Sequence, residues 1–458
     1  MRDNQQTLTG IAGIFGREET NVASKLEMAL GAMERRGSII QSATIKGEDG
    51  IVSIGSCSHP GQESSTINPE KTSTIIDGTL PGNLELEEIG GEVNAEALTE
   101  TIQVPGAFAI LAISGGRLLA VRDVVGQKPL YYGEDRDGIV AFASLRKALT
   151  KIGITNMNPV KPGQLLAVSK RGPSIVADRS LTRPKEIIVS EHEASTRLYE
   201  LLVNSLGDGV PKDSALAFSG GLDSTLVAQA AKENDLRPEL ITVGLKGQQE
   251  LDHARTVAKQ LGLDFSVREL SQSEVLDSLP EVVQTIETSD STLVGVSVPL
   301  YFACEVAEET RMECLLAGQL SDELFAGYGR FDKLAAKKNL RQAREEVWNG
   351  VLAASANDFE PGDKLAVSHR LELRCPFAFL PLVEYALRLP ISLKLRLVGS
   401  KVVRKHILRR LAYDWKLPED VVNRPKKAVQ YSSGVQKILL KEAKRRKMTL
   451  GSLLESLY

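Results

Sequence analysis

The sequence predicts two domains of different fold class. Residues 1–185 are expected to form an α+β domain built on antiparallel sheets, and residues 186–458 an α/β domain with a doubly wound parallel sheet and a helical C-terminal part. Three observations predict this. Short apolar segments alternate with turn residues before position 185. Strand-like and helix-like segments alternate after it. A Ser-Gly-Gly turn also joins an apolar strand to a helix at 219–221.

Composition limits the class of protein. Hydrophobic residues make up 42% and charged residues 25% of the chain, as in ordinary soluble proteins. The net charge is −3, which gives no basic field for nucleic acid. No apolar run reaches the roughly 18 residues of a membrane helix, and the polar N-terminus has no apolar signal segment. Four scattered cysteines predict reduced, buried thiols rather than a zinc site or disulfides. We therefore expect a cytoplasmic enzyme.

The first domain begins with an apolar, glycine-containing strand at 10–16 and continues into a helix from about Val22 to Glu34. Alternating apolar segments follow, separated by turn residues, and predict antiparallel strands. These segments lie at 73–76, 107–112, 117–121 and 139–142. The polar, irregular stretch 171–185 marks the expected domain boundary.

In the second domain, apolar strands and helices alternate, which predicts a parallel sheet with ligands at the carboxyl ends of its strands. The segment 297–301 predicts a further helix start, with Pro299 in its first turn. The predicted helices lie at about 191–206, 250–261 and 273–288, and the predicted strands at 216–218, 240–244, 265–270 and 314–318.

The turn at 219–224, which reads Ser-Gly-Gly-Leu-Asp-Ser, is a candidate phosphate site. Backbone N–H groups and the helix dipole favour an anion at such a turn, and Gly220 and Gly221 allow a close backbone approach. Asp223 would repel phosphate unless it holds Mg²⁺, which binds carboxylate and phosphate oxygens together. The alternative is a plain glycine turn with Asp223 as a helix cap.

This unit resembles the PP-loop ATP pyrophosphatases, a family that splits ATP into AMP and pyrophosphate. It is not a Walker A loop, because no Gly-Lys-Ser/Thr follows. A second polar strand end, at Ser321 and Asp322, would give Mg²⁺ its second carboxylate beside Asp223. The alternative for that strand end is an ordinary acidic helix N-terminus.

Residues 190–440 resemble asparagine synthetase. The resemblance is carried by the segments 244–247, 287–290, 321–323, 372–377, 405–409 and 423–426. It implies that Glu287 is the catalytic acid/base residue and that Lys426 stabilises charge at the acyl-adenylate. The implied ATP-binding residues are Leu216, Ser219, Gly220, Gly221, Leu222, Asp223, Ser224, Val243, Gly244 and Gly318, the substrate-binding residues are Asp290, Ser321 and Arg374, and the Mg²⁺ ligands are Asp223 and Asp322.

The first domain resembles the class II glutamine amidotransferase domain, an N-terminal-nucleophile fold, through the segments 10–15, 122–132, 142–144 and 161–163. The family's catalytic cysteine is missing, and Thr9 holds the matching position. Its Arg-Gly-Pro-Asp and Asn-Gly-Glu motifs read Arg-Gly-Ser-Ile at 36–39 and Asp-Gly-Thr at 77–79. We therefore expect an inactive scaffold that packs on the second domain, as in β-lactam synthetase. The alternative makes Thr9 a nucleophile after cleavage behind Leu8.

The resulting hypothesis is an AMP-forming amide ligase that uses Mg²⁺ and ATP to adenylate a carboxylate, best guessed as aspartate, and then adds ammonia. Gln319, Gly295 and Glu250 replace residues usual in the family, so ATP use is better supported than the acceptor. The alternatives are a β-lactam-synthetase-like enzyme with another acid, a non-catalytic binding protein, and a tRNA-modifying PP-loop enzyme. No nucleic acid or membrane partner is expected. The oligomeric state stays open, with a homodimer as one assembly to test.

Overall fold

The computed structural model describes residues 9–60, 73–80, 94–207, 209–399, 401–424 and 433–458. The chain divides into two compact units, residues 1–182 and 183–458. Among the described residues, no helix combines the length and the apolar character needed to cross a bilayer. All four cysteines are buried thiols, as the sequence predicts.

The first unit contains two antiparallel sheets. The six-stranded sheet has the order β2-β3-β1-β8-β7-β9, and the five-stranded sheet has the order β11-β10-β6-β5-β4. The strands are β1 Thr9–Gly16, β2 Ile39–Lys46, β3 Ile51–Ser58, β4 Ser73–Thr79, β5 Ala107–Ser114, β6 Arg117–Arg122, β7 Tyr131–Glu134, β8 Val140–Ala143, β9 Met157–Pro159, β10 Gln164–Ser169 and β11 Gly172–Asp178. The helices are α1 Glu19–Gly31, α2 Ala95–Thr101 and α3 Arg146–Lys151, with a 3₁₀ turn at Glu34–Arg36.

The core of the first unit lies on both faces of the six-stranded sheet. One apolar cluster joins β1 and β3 to strands of the five-stranded sheet and includes Ile11, Ile54 and Leu111. A second cluster packs α1 and α3 against the opposite face and includes Ile14, Leu26 and Leu149. Because both faces of the sheet are covered at its centre, β1 and β3 are buried along their whole length, whereas the edge strand β2 is largely exposed.

The second unit is built on a five-stranded parallel sheet of order β14-β13-β12-β15-β16, which confirms the predicted fold class. Its strands are β12 Ser214–Ala217, β13 Glu239–Leu245, β14 Phe265–Leu270, β15 Cys314–Leu316 and β16 Glu372–Arg374. A separate antiparallel hairpin pairs β17 Leu395–Val398 with β18 Lys401–Arg404. The strand order changes direction between β12 and β15, and ligands in open α/β sheets bind at such a point.

Helices surround this sheet and continue to the C-terminal end of the described chain. They are α4 Glu191–Asn204, α5 Leu222–Glu233, α6 Gln249–Leu261, α7 Gln272–Ile286, α8 Ser291–Glu309, α9 Ser321–Leu324, α10 Arg330–Ala336, α11 Leu340–Ala354, α12 Glu360–Ser368, α13 Leu380–Arg388, α14 Ile391–Lys394, α15 His406–Asp414, α16 Glu419–Asn423, α17 Val435–Arg445 and α18 Leu450–Glu455. A π-helical turn at Ser355–Phe359 joins α11 to α12, and a 3₁₀ turn lies at Pro376–Ala378.

One predicted helix start is wrong. The helix expected to begin near 297, with Pro299 in its first turn, begins at Ser291, so Pro299 lies inside α8. The cause is Asp290, whose side chain accepts hydrogen bonds from the N–H groups of Thr292 and Leu293, both at 2.9 Å. An Asp cap of this kind fixes the first turn more strongly than proline does.

Candidate active site

The turn between β12 and α5 is tightly held. Ser219 Oγ accepts a hydrogen bond from Gly221 N–H at 3.3 Å and lies 3.2 Å from Ser224 Oγ. Gly220 has a φ of +63°, and a Cβ there would come within 2.9 Å of the Ala254 Cα. Only glycine meets both requirements at low cost. The turn therefore brings backbone N–H groups to the start of α5 in the conformation that the sequence predicts for an anion site.

The two predicted metal ligands converge at the switch point of the sheet. Asp223 lies in the first turn of α5, after β12, and Asp322 lies in α9, after β15. Lys405 joins them, because its Nζ is 2.7 Å from an Oδ1 of each carboxylate. Ser321 Oγ donates to Asp223 Oδ1 at 2.9 Å and lies 3.1 Å from the same Nζ. Two carboxylates thus share one cation beside the turn at 219–224, which is called the phosphate loop below.

The backbone around this pair is equally close. A Cβ at Gly318 would lie 3.2 Å from the Asp223 Cβ, and a Cβ at Gly327 would lie 1.8 Å from Asp322 Oδ1. Lys405 itself has a φ of +52° at the start of α15 and is only 2% exposed. These constraints fix the positions of the two carboxylates relative to the loop before any ligand binds.

Mg²⁺ fits this donor set. Mg²⁺ in nucleotide sites binds through one or two carboxylates together with phosphate oxygens and water, and Asp223 and Asp322 already present oxygens to a common cation. Within the described ranges, no group of three or more His, Cys, Asp or Glu is arranged to hold a metal by itself. The remaining ligands would therefore have to come from phosphate and water.

A cavity of about 850 Å³ opens beside the loop and the two carboxylates. Seven residues that the sequence predicts for the site line it, namely Ser219, Asp223, Ser224, Val243, Asp290, Gly318 and Asp322. The lining includes apolar residues, among them Ile241, Leu251 and Pro299, together with polar and charged groups. A volume of this size suits a nucleotide with a second small molecule.

Several polar residues that line the cavity were not predicted from the sequence. Glu346 and Asn349 come from α11, and Asn357 and Asp358 come from the π-helical turn. Arg330 also lines the cavity, with its guanidinium 4.6 Å from the centre of the Tyr328 ring and its Nε 3.4 Å from a Glu346 carboxylate oxygen. The residues belong to amphipathic or irregular segments without a motif, so nothing in the linear pattern marks them.

A carboxyl–phenol pair lies on the same wall. Tyr328 donates its hydroxyl hydrogen to Glu323, and both side chains line the cavity. Burial raises the pKa of the Glu323 carboxyl, and burial beside that carboxyl raises the pKa of Tyr328. The pair follows directly on the predicted Ser321–Asp322 segment in the sequence.

Glu287 is placed differently from the other predicted residues. It caps the C-terminus of α7 with a φ of +56° and is 5% exposed. Its Oε2 lies 2.9 Å from Lys364 Nζ, and both side chains are almost wholly buried. Its side chain is not among those that line the cavity, although Asp290, three residues later, does line it.

Arg374 also lies apart from the cavity lining. Its Nε is 3.0 Å from Glu372 Oε1, so this ion pair orients the guanidinium to which the resemblance assigns a substrate-binding role. The neighbouring Cys375 donates its thiol hydrogen to Gln319 Oε1 at 3.2 Å, and Gln319 does line the cavity. Lys426, the other predicted catalytic residue, lies outside the described residues.

The remaining predicted ATP-binding residues lie in the strands and the helix next to the loop. Leu216 lies in β12 and Leu222 opens α5, both buried. Gly244 lies in β13, where a Cβ would meet the side chain of Leu251 at 3.1 Å. These positions determine how the loop is seated and leave contact with a ligand to the residues on the cavity wall.

In the first unit, the segments matched to a glutamine site are joined by buried charges. Thr9 is fully buried, and its hydroxyl donates to the Ile76 carbonyl at 2.7 Å. Arg36 donates from Nη1 to the Thr9 carbonyl at 2.8 Å and to Asp77 Oδ2 at 2.6 Å. Ser144 Oγ donates to the same carboxylate oxygen at 3.2 Å. This network holds the Thr9 hydroxyl against a carbonyl.

Comparison with protein families identifies two matches in the chain. The profile of the family described as asparagine synthase matches residues 212–358 and 335–453. The profile of a glutamine amidotransferase domain matches residues 92–151. The first match contains the phosphate loop, both carboxylates and Lys405.

Curated relatives agree with the profile. A protein of Methanocaldococcus jannaschii, named as a putative glutamine-hydrolysing asparagine synthetase, is 31% identical over 388 residues, which are 74% of this chain and 71% of that protein. Asparagine synthetase B of Escherichia coli K12 is 29% identical over 346 residues, 72% of this chain and 60% of that protein. Asparagine synthetase 3 of Arabidopsis thaliana is 27% identical over 363 residues, which are 75% of this chain and 61% of that protein. The chain therefore spans about three fifths of the length of the last two relatives.

Proposed function

Because this chain belongs to the asparagine synthase family, we propose that it is an amide ligase that splits ATP into AMP and pyrophosphate. The observation that carries the proposal is the convergence of Asp223 and Asp322 at the mouth of the phosphate loop, inside a cavity large enough for two small molecules. The proposed acceptor is the carboxylate of aspartate, and the proposed nitrogen source is ammonia.

In the proposed reaction, a carboxylate oxygen of the acceptor attacks the α-phosphorus of ATP and pyrophosphate leaves. The nitrogen lone pair of ammonia then attacks the acyl carbon, AMP leaves, and the nitrogen loses a proton. The N–H groups of the loop and the start of α5 would hold the phosphates. Asp223 and Asp322 would hold Mg²⁺, which when bound neutralises phosphate charge. Lys426 is proposed to stabilise the charge that develops at the adenylate, since a preorganised cation in a dry site lowers such a barrier.

Two residues in the segments that the resemblance assigns to the acceptor pocket are unusual for the family. Gln319 and Gly295 replace the glutamate and arginine usual in the family. Gln319 lines the cavity and donates from Nε2 to the Asp358 carbonyl at 3.3 Å. A second candidate function therefore keeps the same ATP chemistry with a different carboxylate.

The nitrogen source is proposed from the first unit. A glutaminase needs a nucleophile beside a base, with an oxyanion site, whereas the Thr9 hydroxyl donates to a backbone carbonyl and Asp77 accepts from Arg36. We expect ammonium to serve as donor and glutamine to fail.

The test is a product analysis with Mg-ATP, ammonium and a panel of carboxylates that begins with aspartate. We expect AMP and pyrophosphate in equal amounts, together with an amide of one acid. Replacement of ammonium by glutamine should give no amide and no glutamate. Formation of ADP and phosphate would contradict the ligase proposal. Glutamate release that is lost in Thr9→Ala would contradict only the assignment of the nitrogen source.

A further inference from the structure

The ion pair between Glu287 and Lys364 connects two walls of the cavity. The two side chains are 4% and 2% exposed, and their charged atoms are 2.9 Å apart. Neither belongs to the loop or to the carboxylates that face it. Buried opposite charges attract strongly, and two such groups fix the relative position of the segments that carry them.

The Glu287 side of the pair leads to the start of α8. Glu287 ends α7 with a left-handed backbone conformation and begins a short connection to Asp290. Asp290 caps α8. The first two turns of α8 then place Thr292, Leu293 and Val296 on the cavity wall.

The Lys364 side leads to the π-helical turn, which supplies other lining residues of the cavity. Lys364 lies in α12, which packs against both α7 and α8 and is buried from Glu360 to Val367. The π-helical turn runs directly into α12 and supplies Asn357 and Asp358 to the cavity. A shift of α12 would therefore carry these two side chains with it.

We infer that the Glu287–Lys364 ion pair sets the separation between the start of α8 and the π-helical turn, so that Lys364 is a positioning residue for the carboxylate substrate. This inference rests on the proposed function only in naming that substrate. The phosphate loop is held by different contacts, those of Ser219, Ser224 and Lys405. Loss of the ion pair should accordingly weaken binding of the acceptor carboxylate more than binding of ATP. A role of Glu287 as proton acceptor is different, because it would require a carboxylate at position 287, whereas positioning requires only that the two charges be paired.

The test uses two double variants of the full chain. Lys364→Met alone would remove the cation that lies 2.9 Å from the buried Glu287 carboxylate and would disturb folding. Glu287→Gln/Lys364→Met, the neutral variant, therefore removes both charges together. Glu287→Lys/Lys364→Glu restores the pair with the charges exchanged. Lysine is compatible with the backbone at 287, since Lys338, Lys405 and Lys416 have φ values of 53°, 52° and 55° in this chain. Arg197→Met/Glu200→Gln, which removes an exposed pair, is the control.

Steady-state AMP formation is measured with Mg-ATP, ammonium and aspartate, or the panel acid that the unmodified protein accepts. For the neutral variant we expect the KM for the acid to rise by about tenfold or more while the KM for ATP changes by less than about twofold, because only acceptor positioning is lost. The exchanged variant should recover most of the lost affinity. An unchanged acceptor KM in the neutral variant overturns the inference. A lower kcat in the neutral variant that persists in the exchanged variant also overturns the inference. That result would mean that the Glu287 carboxylate takes part in proton transfer.

Hydrogen exchange gives a measurement that needs no substrate. The amides of 291–296 and 355–359 should exchange faster in the neutral variant and return toward the original rates in the exchanged one, with no change in the control. If the unmodified protein forms AMP with no acid, the proposed function fails and the exchange data still decide the inference. Equal exchange rates in all variants overturn it.

Discussion

Replacement of Lys405 by methionine should destabilise the second unit and make its stability depend on Mg²⁺. The ammonium group lies 2.7 Å from Asp223 and 2.7 Å from Asp322 and is 2% exposed, whereas the two carboxylates are 11% and 16% exposed. Methionine keeps the length of the side chain and removes its charge. Two carboxylates would then face each other without the cation that now separates them.

The expected loss follows from the burial of the three groups. Removal of one partner from a buried ion pair costs about 3–5 kcal/mol. Because both carboxylates keep some contact with water, we expect the lower end, about 3 kcal/mol. For a domain of this size that corresponds to a fall in Tm of about 6–12 °C.

The assay is urea unfolding of the purified protein, with and without MgCl₂ at constant ionic strength. Mg²⁺ can take the position between the carboxylates in the variant, and a ligand at 100 times its Kd adds about 2.7 kcal/mol. Lys416→Met is the matched control, because Lys416 has nearly the same backbone conformation but is exposed. Its stability should be unchanged under both conditions.

Two results would refute this reasoning. If Lys405→Met is as stable as Lys416→Met, the contacts to the carboxylates contribute little. If the loss is present but Mg²⁺ recovers none of it, the position between Asp223 and Asp322 does not accept a divalent cation. The second result would also remove the support for their proposed role as metal ligands.

Two further predictions concern the same unit. Burial lowers the pKa of Lys394 from 10.5 to about 7; the unfolded chain therefore holds a proton that the folded chain lacks between about pH 7 and 10.5, and stability should rise with pH across that window. Lys394→Met should flatten this rise in urea titrations and raise stability most at or below pH 7, whereas the exposed Lys444→Met should leave the slope unchanged. Gly220→Ala should weaken ATP binding at least about tenfold by calorimetry, since its Cβ would meet Ala254 and its φ is positive. Gly262→Ala, which also has a positive φ, of +68°, but whose Cβ would meet nothing within 4 Å, should bind ATP nearly normally. Equal ATP affinity in the two alanine variants would contradict the glycine argument.

The local parts of the site could be predicted from the sequence because each is written in a few adjacent residues. The strand, the glycine turn and the helix around Asp223 follow one another, and Asp322 follows a second apolar strand. Parallel strands bring such ends together at one edge of a sheet, so proximity follows from the fold class. The same reasoning predicted the parallel sheet itself.

The long-range partners could not be predicted in this way. Lys405 is 182 residues from Asp223 along the chain and looks like any lysine before a helix. Lys364 follows Asp363 in a polar stretch and gave no signal in the sequence, although the helix that carries it is buried. The helix at 291 was missed because the cap at Asp290 outweighs the signal from Pro299. The two lysine contacts are long-range and are not encoded in sequence spacing, whereas the cap at Asp290 is a local signal that the sequence does contain.

The charge network of the first unit limits which side chains position 9 can carry. A thiol placed at position 9 would meet the Ile76 carbonyl and the Arg36–Asp77 pair, which hold the same strand end. Gly37 and Gly78 leave little room for adjustment, because a Cβ at either would come within 1.9 Å of a neighbouring backbone atom. An engineered nucleophile at position 9 would therefore need coordinated substitutions in the Arg36–Asp77 network rather than a single exchange.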